Sequence, residues 1–200
     1  MDEVPPYDPT HQGYDADIEF LHWMNLGNVD DIRDQYDADI VTLFVPIWSS
    51  NVCGIANLRY YDPVADVEKI ETGAANYEWT DQAFSVQLIG CGLVDLTYGH
   101  EIGHNFSLWH SADFTSSKLP LEDYPDPTGH IYWTAFGQRA TVMECIDSQS
   151  CDRTGYFSNP NFTVPMYGIT PTGKVDHDNG YYANAYQVLI GLISEYANLR

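Results

Sequence analysis

Two hundred residues suit one domain with a sizeable core, and 44% apolar with 14% aromatic residues is the composition of a folded chain. Only 8 Lys and Arg stand against 29 Asp and Glu, a net charge of −21, which excludes nucleic acid and anionic lipid surfaces as expected partners. The charge is therefore a property of a folded surface, soluble where salt screens its self-repulsion, and the longest apolar stretch, Ile40 to Trp48, is broken by Thr42 and Pro46 and far too short to span a bilayer.

Along the chain, a polar, Pro-containing start without the basic and apolar regions of a secretion signal leads to Ile18, Leu21, Trp23 and Met24, which suggest one helix. Asn28 can cap a second helix whose apolar positions are Val29, Ile32 and Tyr36. Asp39 to Ile47 reads as a buried strand dense in β-branched residues, and Cys53 to Tyr60 and Ala83 to Gly90 read as two more. The last runs through Cys91 and Gly92 into a helix beginning near Leu93 to Thr97. Alternating strands and helices predict an α/β (α+β) layer structure, a mixed twisted sheet with that helix against it. From Ser111 the pattern becomes loop-rich, and Ala183, Tyr186, Leu189, Ile190, Ile193 and Leu199 then recur at the spacing of a closing amphipathic helix. Residues 1–200 are expected to form a single domain, with an upper part over 1–110 and a lower part over 111–200.

Cys53, Cys91, Cys145 and Cys151 form an even set without a CxxC pair, which fits two disulfides in an exported protein better than a metal site. Three pairings are allowed. Cys145 with Cys151 are close in sequence, and Cys53 with Cys91 flank the ends of neighbouring predicted strands, so this pairing is preferred; four reduced thiols in a cytoplasmic protein is the competing reading.

The chemistry concentrates in His100-Glu101-Ile102-Gly103-His104-Asn105-Phe106-Ser107-Leu108-Trp109-His110. Residues four apart share a helix face, so His100 and His104 can aim two imidazoles at one ion. Glu101 is one position round, placed to take a proton from a water at the ion. His110 adds a third nitrogen if the helix ends near Ser107 and the chain turns back. Three protein ligands and a water is the open arrangement of catalytic zinc. The plain alternative is a surface helix with solvated histidines. His11, His22 and His130 lack partners at ligand spacing. Asp176-His177-Asp178-Asn179 offers hard oxygen ligands suited to Ca2+, although Asp and Asn are also ordinary turn residues.

The spacing HExxHxxxxxH, followed by Thr141-Val142-Met143-Glu144 with Met143 33 residues after His110, resembles the metzincin zinc peptidases, in which a tight turn places a methionine beneath the metal. Tyr156-Phe157-Ser158-Asn159-Pro160, Tyr167 to Gly173, Asp178-Asn179, Cys53 to Leu58 and Arg33 to Asp39 are similar more narrowly to bacterial secreted metzincins of the reprolysin-like and peptidyl-Asp metalloendopeptidase type. Three departures stand out. Ser107 replaces the family glycine between the second and third histidines, Ser111 stands where reprolysin-like members usually have Asp, and the family's first strand, long helix and second strand are not found before residue 18. The chain is therefore expected to be N-terminally shortened, with signal and propeptide missing for the same reason.

The resemblance implies a secreted zinc metalloendopeptidase acting on protein or peptide substrates, with one Zn2+ held by His100, His104 and His110, Glu101 as general base toward a zinc-activated water, and Met143 in the Met-turn. It implies a substrate edge strand near Gly54, Ile55 and Ala56, and a pocket lined after Met143 by residues near Tyr156 to Pro165. Arg139 and Arg153 are the cations near enough to select an acidic side chain there, and each is also explained as an exposed solubilising Arg. The alternative function is a catalytically impaired, peptidase-derived binding or adhesion module. No heptad or second long helix calls for assembly, so a monomer is expected.

Overall fold

In the computed structural model the described residues are 29–36, 38–46, 53–57, 83–92, 96–106, 108–110, 128–144, 152–165, 169–176, 181–183, 185–186 and 189–190. In chain order they form α1 (Val29–Tyr36), β1 (Val41–Val45), β2 (Gly54–Ala56), β3 (Phe84–Leu88), α2 (Ile89–Gly92), α3 (Thr97–Asn105), β4 (Ile131–Thr134), β5 (Gly137–Ala140), β6 (Lys174–Asp176) and β7 (Tyr181–Ala183). The mixed sheet and small set of helices give the α+β class expected from the sequence. The predicted helix around Ile18 to Met24 lies outside the described residues.

β3 is the centre of the sheet, with order β1-β3-β2. β1 runs parallel to it with Val41 beside Phe84 and Val45 beside Leu88, and β2 runs antiparallel with Gly54 beside Gln87 and Ala56 beside Ser85. Strand alternation sorts β3 into two faces. Phe84 and Val86 pack with Val29, Val41, Leu43, Val45 and Ile55, the face covered by α1. On the other face Phe44 stacks on Tyr98 of α3 with ring centroids 5.9 Å apart, and Asn105 Nδ2 donates to Phe84 O and Asn57 O at 2.9 and 3.2 Å. The sheet thus lies between α1 and α3.

A disulfide joins Cys53 to Cys91 with Cα atoms 5.5 Å apart, tying the start of β2 to the helical turn after β3. This is the preferred pairing for these two; Cys145 and Cys151 lie outside the described residues. Beside the bridge, Leu88 N–H donates to Cys53 O at 3.0 Å and continues the β2–β3 ladder.

Three local expectations are corrected. In α1, Ile32 and Tyr36 do not face the sheet: Tyr36 is 73% exposed, whereas Arg33 is 5% exposed. The Arg33 guanidinium lies 5.8 Å from the centre of the Phe84 ring and bonds Asp34 Oδ1 at 3.0 Å, so a cation replaces the expected apolar contact. The stretch expected to be loop-rich contains the hairpins β4–β5 and β6–β7. Its strand pattern is hard to read because the outward residues of β4, Ile131 and Trp133, are themselves apolar and exposed, which removes the alternation. Tyr181–Ala183 pairs as β7, so Ala183 does not begin the closing helix. Helical backbone is present at residues 185, 186, 189 and 190, but there Ala185 is buried while Tyr186 and Ile190 are exposed.

Candidate metal centre and active site

α3 carries the centre. His100 N–H donates to the carbonyl of Leu96, which precedes the helix in the left-handed region at φ 57°, a backbone state that costs a non-glycine residue about 1–2 kcal/mol. Leu96 accepts that geometry while packing against the core formed by Leu108, Val142, Met143 and Ala185. The helix stops after Asn105, where Phe106 N–H reaches back to Ile102 O and Gly103 O and Leu108 N–H to Gly103 O. Trp109 then bridges to Thr128, and Gly129 N–H donates to Trp109 O at 3.1 Å. Those bonds turn the chain back and deliver His110 to the two helical histidines; Ser107 itself lies outside the described residues.

The three imidazoles meet at their Nε2 atoms. His110 Nε2 lies 2.9 Å from His100 Nε2 and 3.0 Å from His104 Nε2, and all three ligand nitrogens fall within 4.8 Å of one another. Their opposite nitrogens are committed elsewhere: His100 Nδ1 donates to Val142 O at 2.9 Å and His104 Nδ1 to Leu108 O at 2.8 Å. A proton on Nδ1 leaves a lone pair on Nε2 of a neutral ring. Lone pairs aimed at one point repel unless a cation sits between them, and two nitrogens on a tetrahedral zinc would be ~3.3 Å apart, near the spacing seen. The donor set therefore fits a metal ion.

Electrostatics agree. Burial pushes His100 well below its usual pKa, with the neighbouring His104 and Arg153 charges adding to the effect. His104 falls to about 4, from burial and then His110, and His110 to about 4, from burial and then Arg153. The rings are thus neutral at physiological pH, the form that ligates metal. Glu101 is also buried, which pushes its carboxyl up to about 8, partly opposed by Arg153.

Three glycines and a methionine shape the surroundings. A Cβ at Gly54 would lie 2.5 Å from Glu101 Oε1, so the carboxyl rests on the bare backbone of β2. A Cβ at Gly103 would overlap Met143 Sδ, so the fully buried Met143 packs on α3 between the two helical histidines. Gly129, which sequence reasoning did not single out, has the Met143–Glu144 backbone where its Cβ would be, 2.6 Å away. The carbonyls of Val142 and Leu108 were equally invisible, because a backbone acceptor carries no signal in residue type. Asn105 gave one: an amide on the core side of an otherwise predictable helix.

Of the remaining candidates, Gly54, Ile55 and Ala56 form β2, an edge strand among the described residues and in contact with α3. The 152–165 segment runs beside Met143, with Val142 N–H donating to Tyr156 O and Phe157 against the Met143 core. Arg153 Nε donates to Glu144 O at 2.7 Å, and its charge acts on His100, Glu101, His104 and His110 alike. Arg139 instead pairs with the exposed Asp152 at 3.2 Å. His130 is outside the cluster, and most of the Asp176 to Asn179 stretch lies outside the described residues.

A profile described as metallo-peptidase family M12B, reprolysin-like, matches residues 6–111, which include the three histidines and Glu101. The chain is 28% identical over 207 aligned positions to a peptidyl-Asp metalloendopeptidase of Pseudomonas aeruginosa, an alignment covering 96% of this chain and 31% of that protein. It thus spans about a third of the relative's length. A chain in a solved chaperone-substrate complex is similar at a TM-score of 0.48 and 19% identity, over 87% of this chain and 24% of that one. By the profile match over more than half its length, this chain belongs to the reprolysin-like metallopeptidases of family M12B.

Proposed function

We propose that residues 1–200 are one catalytic domain of a secreted, monomeric, zinc-dependent endopeptidase, with His100, His104 and His110 as zinc ligands and Glu101 as general base. The observation that carries this reading is the commitment of two Nδ1 atoms to Val142 O and Leu108 O, which leaves the Nε2 lone pairs convergent beside a buried carboxyl. A disulfide is present, and among the described residues no helix is long and apolar enough to cross a membrane.

Zinc, when bound, supplies a Lewis acid that polarises the scissile carbonyl and acidifies the attacking water. Glu101 accepts that water's proton on its carboxylate and returns it to the departing amine nitrogen. A nearby cation brings a buried carboxyl down into the range where it is ionised and can act as a base. The peptide adds to the edge of β2, which no strand covers among the described residues, through backbone hydrogen bonds from Gly54 to Ala56, which accommodates many sequences. Met143 forms the floor of the site in the manner of a Met-turn. Arg153, beside the segment that follows Met143, is the cation suited to select an Asp on the leaving side, a specificity suggested by the relative's name.

Zinc content by elemental analysis and chelator-sensitive cleavage of casein test the reading. Stoichiometric zinc with cleavage abolished by chelator is expected; stoichiometric zinc without cleavage would make the chain the metal-loaded binding module instead.

A further inference from the structure

Gln87 occupies the middle of the sheet, beside Phe44 on one side and Gly54 on the other. Phe84 and Val86 face α1, so Ser85 and Gln87 face α3. Hydrogen bonds from Leu88 N–H to Cys53 O and from Asn57 N–H to Phe84 O place the hydrogen-bonded pairs at 53/88 and 57/84. Gly54 and Gln87 are therefore a non-hydrogen-bonded pair, the kind whose Cα atoms approach to about 4.5 Å and whose side chains are closest. Residue 54 has no side chain, and the space it leaves is filled by the Glu101 carboxyl. The Gln87 side chain therefore leaves the sheet on the side that carries the Glu101 carboxyl, next to the glycine that the carboxyl covers.

Gln87 is 0% exposed, and neither Nε2 nor Oε1 has a hydrogen-bond partner among the described residues. Burying an unsatisfied amide costs free energy that an apolar side chain of the same size would not. Thr42 and Ser85 hydroxyls bond each other at 2.9 Å, and Asn105 lies at the far end of β3, against Phe84 and Asn57. Catalytic hydrogen bonds are often long in the resting enzyme and tighten only with substrate in place.

We infer that Gln87 is a positioning residue for Glu101: with substrate in the cleft its Nε2 donates to one carboxylate oxygen and turns the other toward the three imidazoles. The inference rests on the proposed role of Glu101 as base. Gln87→Met keeps the volume and removes the amide. Expected are an unchanged or higher Tm, a kcat lower by on the order of 10-fold and little change in KM. A kcat equal to that of the parent would overturn the inference, as would a lower Tm with unchanged turnover, the signature of a merely structural amide. A second readout is independent of turnover. In 15N-labelled, zinc-loaded protein saturated with a non-hydrolysable peptide analogue, the Gln87 side-chain NH2 signal, assigned by its loss in Gln87→Met, should shift in Glu101→Ala; an unmoved signal overturns the contact. A parent protein that holds zinc but cleaves nothing sinks the proposed function, and the NH2 signal still decides the contact.

Discussion

Gly54 and Glu101 share one volume: a Cβ on residue 54 would stand 2.5 Å from Glu101 Oε1 and 2.7 Å from its Cγ. The strand has to be bare at that point for the buried carboxyl to lie between sheet and helix. Gly54→Ala is therefore expected to displace the carboxyl, with kcat falling 10-fold or more, since roughly 1 Å of misplacement can cost about 10²-fold. Zinc content should be unaffected. Steady-state kinetics with elemental analysis checks both, and a Gly54→Ala enzyme of full activity would contradict the geometry.

Glu101→Gln keeps size and polarity but cannot accept a proton. Its turnover should fall by about 10²- to 10⁴-fold with zinc bound stoichiometrically. Loss of zinc together with activity would assign Glu101 to the metal rather than to the proton.

Gly103 meets Met143 Sδ so closely that no side chain fits between them, with Met143 Cε at 3.1 Å and Phe157 Cε1 at 3.4 Å from the added Cβ. Because Met143 is fully buried, its thioether has no open space to enter. Gly103→Ala should cost about 1–3 kcal/mol by overpacking. For a domain of this size each kcal/mol lowers Tm by about 2–4 °C, which thermal unfolding can resolve.

Protein stripped of metal should be most stable near pH 6.5. The folded pKa of His104 and of His110 is about 4, below the ordinary 6.5, so their contribution is full above about pH 6.5 and is lost as pH falls toward 4. Glu101 is raised to about 8, so its contribution is full below about pH 4.5 and is lost as pH rises through 8. Between pH 4.5 and 6.5 the two slopes oppose, and the histidines outnumber the carboxyl. Denaturant melts of chelated protein across pH 4 to 8.5 measure the profile, and a stability rising steadily to pH 8 would contradict the Glu101 shift.

Arg153 is expected to set selectivity on the leaving side. Arg153→Gln should reduce cleavage before Asp by roughly 10-fold relative to cleavage before Leu, the scale of one desolvated charge pair. Paired peptides differing only at that residue give the ratio. Arg139→Gln, which loses the pairing with exposed Asp152 and an exposed bond to Gln138 O, should leave it unchanged.

Much of this was legible in the chain. Strand and helix order and the His100, Glu101 and His104 set follow from patterns a few residues long, and the preferred Cys53–Cys91 pairing follows from where two predicted strands end. Ile32 and Tyr36 were read as apolar positions of α1 and the buried Arg33 was not among them, because residue type reports hydrophobicity, whereas a cation over the Phe84 ring with Asp34 alongside is a tertiary contact. The β4–β5 hairpin was missed because Ile131 and Trp133 are apolar on the outer face.

The sequence by itself determined which atoms are available to a metal: two imidazoles one helical turn apart, a carboxyl between them and a third imidazole within reach of a turn. Helical geometry is local, so spacing suffices to state it. Only the tertiary structure decided which nitrogen of each ring faces inward, because Val142 O comes from 42 residues away and Leu108 O from beyond the helix end. It also decided that Gly54 lies under Glu101 and pairs with Gln87, since strand register is fixed by long-range pairing that no local pattern encodes.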